Sequence, residues 1–259
     1  MGARHMSAIE SVAGRRVLIT GGGAGIGAVT AHLLARRGWR VALLDRDGAA
    51  AQRTADEIGK DGACWHQGDV TDPAAVSAVM DAMLAAWGGI DDLVNNAGVW
   101  DHAPLLDLTR DQWQRVLDVN LLAPIEISNA AVRRMGPGSA IVNVSSVLGQ
   151  VLAPTRGPYC VSKSALISLT KMQAIEWAAR GIRVNAIAPG YIINEPTRAL
   201  AASGSFDLSA INRRTPMGRL GTEDEVAEGI AFLLSPERAS YITGHTLEVN
   251  GGWTAYGYL

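Results

Sequence analysis

The stretch RVLITGGGAGIGAVT, residues 16–30, decides the fold. Its first five residues are mostly aliphatic and read as a buried strand. Its last five begin a helical apolar pattern. Only a glycine-rich turn separates the two. Gly21, Gly25 and Gly27, with Ile26 between the last two, would let the backbone approach an anion and let the helix pack close to the strand. The helix N-terminus would then offer N–H groups and the positive end of its dipole. The pattern G-x-G-x-x-G/A also fits from Gly23 to Ala28, so the spacing alone leaves the glycine roles open. A turn without any ligand is the plain alternative.

The same alternation continues along the chain. RVALLD (40–45), ACWHQGDV (63–70), DDLVNNAG (91–98), SAIVNVSS (139–146), IRVNAIAPG (182–190) and TLEVNGG (246–252) read as further strands. Helical patterns fall at 72–88, 157–181 and 222–235, and one extended helix is expected over 109–135, with Pro124 awkward inside it. Several strands are unbroken apolar runs, as in sheets covered on both faces. Repeated β-α units predict an α/β chain: one Rossmann-type domain over 11–259, with a doubly wound, seven-stranded parallel sheet. Residues 1–10, opening MGARHM, read as an unstructured leader. The irregular segment 191–220 reads as a cover over a site.

The 259 residues are 48% hydrophobic with a net charge of -2, which gives no reason to expect a nucleic-acid or membrane partner. No apolar run approaches a membrane span, and a cytoplasmic setting is the default. Cys64 and Cys160 are too few for a disulfide framework, and the five histidines lack metal-ligand spacing.

Two features give the turn a chemical context. Asp45 closes the second strand, where an acidic residue binds a ribose 2′-hydroxyl. Its charge would repel a 2′-phosphate, which favours NAD over NADP, although Arg46 beside it could accommodate that phosphate. Tyr159 and Lys163 lie four residues apart, hence on one helix face. A neighbouring cation favours a phenolate and would bring a tyrosine towards the working range of an acid/base. Taken alone, such a pair is commonly a packed ring and a solvated amine.

Together these motifs resemble the short-chain dehydrogenase/reductase family over about Ser11 to Trp253. The glycine turn, GDV with Asp69 and Val70, NNAG (95–98), Asn120 in DVN, Ser146 in VNVSS, YCVSK, and PG (189–190) followed by Ile192 stand in the family's order. The resemblance implies a catalytic tetrad of Asn120, Ser146, Tyr159 and Lys163. Tyr159 would exchange the alcohol proton. Lys163 would lower its pKa and bind the nicotinamide ribose. Ser146, rather than Ser145, would hold the reacting oxygen, and Asn120 a relay water. It implies that Asp69, Val70, Asn96, Ala97 and Gly98 line the adenosine side, and that Pro189, Gly190, Ile192 and Asn194 meet the nicotinamide. Asn194 departs from the family's usual threonine, and Ala24 from the basic residue of NADP-preferring members.

The implied activity is hydride transfer between NAD(H) and a secondary alcohol or its ketone. Gln150, Asn194 and His102 lean towards a sugar or polyol. Trp100 and the tail GWTAYGYL lean towards an apolar or cyclic ketone, and Tyr191 is a further candidate at the pocket. A non-catalytic dinucleotide-binding regulator is the rival of another class. An epimerase of the extended relatives would need a different glycine motif. Homotetramers through the helices at 109–135 and 157–181 are expected.

Overall fold

Each aliphatic run becomes a strand because both of its faces are covered. In a computed structural model describing residues 12–194, 197 and 207–257, the strands are β1 (Arg16–Thr20), β2 (Arg40–Asp45), β3 (Ala63–Gln67), β4 (Asp92–Asn95), β5 (Ala140–Val144), β6 (Arg183–Pro189) and β7 (Thr246–Val249). They form one parallel seven-stranded sheet in the order β3-β2-β1-β4-β5-β6-β7, as the sequence predicts. In β1, Ile19 pairs with Leu43 of β2 on one side and Val94 of β4 on the other. Val17 and Ile19 face one apolar layer and Leu18 the opposite one, so alternation along the strand buries the residues after Arg16 on both faces.

The helices are α1 (Gly25–Arg36), α2 (Gly48–Ile58), α3 (Pro73–Trp87), α4 (Arg110–Leu117), α5 (Ala123–Val132), α6 (Gly157–Trp177), α7 (Leu208–Arg214) and α8 (Glu223–Leu234). Leu34 of α1 and Ile230 of α8 fill the first layer. Met80 of α3 and Ile127 of α5 fill the second. The strand order reverses at β1, which has β2 on one side and β4 on the other. That switch opens a crevice at the strand carboxyl ends.

Several expected boundaries are corrected. β3, β4, β5 and β7 each stop short of the expected ends, because the residues that follow turn into the crevice. The single helix expected over 109–135 is instead α4 and α5 joined by a π-helical turn at Asp118–Leu122, where the Ala123 N–H donates to the Asp118 carbonyl. Pro124 supplies the reason: it has no N–H for the Asn120 carbonyl, and its ring crowds the preceding turn. Residues 1–10, and 195, 196 and 198–206 of the expected cover, lie outside the described residues.

Several polar side chains inside the sheet are joined by hydrogen bonds. Asn95 donates to Asn143 (2.8 Å) and Ser128 (3.0 Å), and Asn143 donates to Thr170 (2.9 Å) and Gln173 (3.1 Å). Fully buried Asp92 accepts from Arg15 (2.7 Å), from the Trp39 indole (2.9 Å) and from the Ala140 N–H (3.1 Å). Burial pushes its carboxyl pKa up, and the Arg15 bonds oppose the shift. Asp92→Ala strands all three donors. It is expected to cost about 3 kcal/mol of unfolding free energy in urea denaturation, and a loss below about 0.5 kcal/mol would show that this buried network carries little of the fold.

Candidate active site

The glycine turn is held shut by its neighbours. Gly21 lies at φ +65° and Gly25 at φ +58°. A Cβ on Gly27 would stand 2.0 Å from the Gly21 carbonyl oxygen. The Asn96 amide donates to the carbonyls of Thr20 (3.0 Å) and Gly21 (2.9 Å), and its N–H donates to the Thr20 hydroxyl (3.0 Å). The start of α1 has no side-chain cap and no acidic residue in its first turn. Its first N–H groups therefore remain for an anion.

Beside this turn lies a cleft of about 590 Å³ lined by Gly21, Gly25, Ile26, Asp45, Asp69, Val70, Asn96, Ala97 and Gly98, among others. Asp45 accepts from the N–H groups of Gly23 (2.8 Å) and Asp47 (2.9 Å), which fixes its carboxylate at the end of β2. The Thr71 N–H and hydroxyl hold the Asp69 carboxylate below its usual range, and Arg46 adds to the shift. Gly27 is absent from the lining and serves the turn's packing.

A second cavity of about 340 Å³ shares Ile26, Asn96, Gly98, Trp100 and Asn194 with the first and adds Ser146, Tyr159, Lys163, Pro189, Gly190 and Ile192. The long helix α6 reaches it through a clamp on the end of β5. The Lys163 ammonium donates to the Val144 carbonyl (2.7 Å), and the Ser145 hydroxyl donates to the Lys163 carbonyl (2.9 Å). Ser145 is thus consumed in the clamp, whereas Ser146 faces the cavity and shares a side-chain hydrogen bond with Tyr159.

Electrostatics here run against the simple expectation. Lys163 stands 5.7 Å from the Tyr159 ring centre, yet it is not among the causes that lower the phenol. Burial pushes the Tyr159 hydroxyl above its usual range, and the Ser146 bond and Arg156 only oppose it. Burial also brings Lys163 down to about 8.

Asn120 is placed differently from the others. Its amide donates to the Val99 carbonyl (2.8 Å) and the Ser162 hydroxyl (3.1 Å), and its oxygen accepts from the Val99 N–H (2.8 Å). This fully buried side chain ties the loop after β4 to α6 and does not line the cavity. His102 and Gln150 are also outside: His102 bonds Thr155 (2.9 Å) and Gln150 donates to Glu248 (2.9 Å). Trp100 and Tyr191 line the cavity, and Trp253 of the tail backs Tyr191 with ring centres 4.8 Å apart. Arg156 and Leu148 also line the second cavity and Glu223 the cleft, and none of the three stood among the expected site residues. Arg156 immediately precedes the helix that carries Tyr159, and that position was the available signal. Among the described residues no group of three or more metal-ligating side chains occurs.

Comparison with known proteins identifies the family. The family profile described as enoyl-(acyl carrier protein) reductase matches residues 21–254. The chain is 41% identical to a cis-4-hydroxycyclohexanecarboxylate dehydrogenase of Sinomonas cyclohexanicum, over 95% of this chain and 99% of that protein. It is 38% identical to the 3-oxoacyl-(acyl-carrier-protein) reductase FabG of Vibrio cholerae, over 92% and 97%. A solved structure from Brucella melitensis, described as a short-chain dehydrogenase/reductase of glucose/ribitol dehydrogenase type, superposes with a TM-score of 0.88 at 29% identity, over 96% and 98%. The chain belongs to the short-chain dehydrogenase/reductase family of oxidoreductases, whose cofactor is a nicotinamide dinucleotide.

The two adjacent serines separate structure from chemistry. Ser145→Ala is expected to lower unfolding free energy by about 1 kcal/mol while retaining most turnover. Ser146→Ala is expected to leave thermal melting nearly unchanged and to lower turnover about 100-fold. The opposite pattern in paired melting and steady-state assays would reverse the assignment.

Proposed function

We propose that this protein transfers a hydride between NAD(H) and a secondary alcohol or its ketone, with Tyr159 as general acid/base. The observation that carries this reading is the meeting of Ser146, Tyr159 and Lys163 in one cavity that runs into the glycine-turn cleft. The bound nicotinamide would supply the hydride chemistry. Around it, the N–H groups at the start of α1 would hold the pyrophosphate, and Asp69 and Val70 the adenine. Ala97 and Gly98 would continue that wall, and Pro189, Gly190, Ile192 and Asn194 would flank the nicotinamide. Ser146 holds the substrate oxygen, and Tyr159 takes its proton as the alcohol becomes a carbonyl, or returns it on reduction. Lys163 carries positive charge beside the phenol and reaches the ribose. The Asn120 backbone carbonyl, which cannot take an i+4 bond from Pro124, is the atom through which that residue would hold a relay water.

NAD is proposed over NADP because Asp45 is fixed by two backbone N–H groups where a 2′-phosphate would sit. Its carboxylate keeps lone pairs for ribose hydroxyls. Arg46 lines the same cleft and acts on Asp69 through its charge.

For the substrate, an apolar or cyclic body fits better than a polyol. Two of the three residues behind the polyol expectation, His102 and Gln150, lie outside the cavity, whose walls include Trp100, Val147, Leu148 and Ile192. The dehydrogenase from Sinomonas, named for an alcohol on a cyclohexane ring, supports the same direction. Exposed Val161, Met172 and Ile175 on α6, with Leu122 before α5, support association through these helices into a homotetramer, which light scattering would test.

Tyr159→Phe is expected to reduce turnover by at least about 1,000-fold while NADH affinity stays within about threefold. Binding of NADH by the unaltered protein without oxidation of any secondary alcohol, followed at the reduced nicotinamide band, would favour a regulator instead. Asp45→Ala is expected to narrow the NAD over NADP preference in kcat/KM at least tenfold. An unchanged ratio would remove Asp45 from the ribose.

A further inference from the structure

Arg156 is the one cation lining the second cavity that the proposed chemistry leaves without a task. Lys163 is held by the Val144 carbonyl; the half-buried guanidinium of Arg156 has no hydrogen bond or ion pair with any described residue. It occupies the N-cap position of α6, a 21-residue helix with no acidic residue in its first turn. A cation there opposes the helix dipole. Among the described residues no aspartate or glutamate lines this cavity. Two cations and a helix N-terminus thus face a small, largely apolar space with no countercharge among the described residues, and an uncompensated, partly desolvated charge is costly.

The backbone that aims Arg156 is itself unusual. Thr155 has φ +64°, and it is the only non-glycine at positive φ among the described residues. For a β-branched residue this is a true outlier. It is held there because its carbonyl accepts from the Ala103 N–H (3.1 Å) and its hydroxyl bonds His102 Nε2 (2.9 Å). His102, outside the cavity, therefore fixes the turn that leads into Arg156. Strain kept in place by such over-determination is characteristic of functional sites.

We propose that Arg156 binds a carboxylate of the substrate, so that the alcohol or ketone taken here is an acid with an apolar body. This rests on the reading of the cavity as an alcohol/ketone site. Arg156 at the N-cap and Tyr159 in the first turn of α6 stand three residues apart, and both line the cavity. That spacing sets the acid group several bonds from the reacting carbon, across Trp100, Val147 and Leu148. The phosphate cradle at α1 is not an alternative destination, since Arg156 is absent from the cleft beside it. A planar fork of donors suits a carboxylate in bidentate geometry.

The test compares a hydroxycyclohexanecarboxylic acid with its methyl ester under saturating NAD, in the unaltered enzyme, Arg156→Gln and Arg156→Lys. The acid is expected to lead the ester in kcat/KM by roughly 10- to 100-fold. Arg156→Gln should bring that ratio to about one, chiefly through KM for the acid, and Arg156→Lys should retain part of it. Cyclohexanecarboxylate, which has no hydroxyl, should inhibit the unaltered enzyme competitively and Arg156→Gln much less. Equal use of acid and ester, or a preference that survives Arg156→Gln, would overturn the inference. Oxidation of other secondary alcohols but of neither acid nor ester would overturn it and leave the alcohol/ketone reading standing. Failure to oxidise any secondary alcohol would sink that reading, and the inference with it.

Discussion

The bond from the Lys163 ammonium to the Val144 carbonyl is the contact on which the site depends. It joins the first turns of α6 to the last residue of β5, and two neighbours lock the same junction. Ser145 donates to the Lys163 carbonyl, and Ser164 donates to the Gly149 carbonyl (2.9 Å). A side chain on Gly149 would come within 2.8 Å of the Lys163 carbonyl, so the approach is closed on every side. This clamp sets Tyr159 over Ser146. Because β5 lies next to β4 in the sheet, it also sets both beside the crevice where the glycine turn ends. Fold and chemistry therefore share one joint: the sheet fixes the serine, the helix fixes the phenol, and a buried cation fastens one to the other.

Burial is also the strongest electrostatic influence in the ligand-free site. It acts in opposite directions on the two titrating groups, lowering the lysine and raising the tyrosine. A phenol so placed remains protonated at neutral pH and is suited first to donate. Acting as a base requires a gain in positive potential near its oxygen, or relief from desolvation. Arg156 already contributes in that sense, and a bound acid would neutralise part of its effect. The substrate proposed for this cavity would therefore alter the tyrosine's proton affinity as well as fill the space.

Much of this was legible in the sequence because short motifs map directly onto backbone requirements. The strand–glycine–helix run at 16–30 pointed to a tight turn opening a helix but left the glycine roles open, and the close approach of Gly27 to Gly21 emerges only in three dimensions. Unbroken apolar strands such as VALL announced a sheet covered on both faces. Other features were hidden because they depend on contacts far apart in the chain. Asn120 looked like a group facing the site, but its side chain is consumed by Val99 and Ser162, which no local pattern reveals. Pro124 signalled a disturbed helix without saying that a π turn would absorb it. Polar loop residues were weighed by type, so His102 and Gln150 were taken as pocket candidates, while Arg156, whose direction depends on the strained Thr155, was overlooked. The Tyr159–Lys163 spacing suggested a lowered phenol. Only the three-dimensional burial shows that desolvation is the largest influence on the phenol, opposed by the Ser146 bond and Arg156.

The central claim is that desolvation, opposed but not overcome by neighbouring charge, governs Tyr159 until ligand enters. Ultraviolet difference titration of tyrosine ionisation, unaltered protein minus Tyr159→Phe, reads this group directly. The account expects its midpoint above the ordinary value of about 10 in the ligand-free protein, and lower once oxidised NAD is added. A midpoint near neutrality without any nucleotide would contradict it.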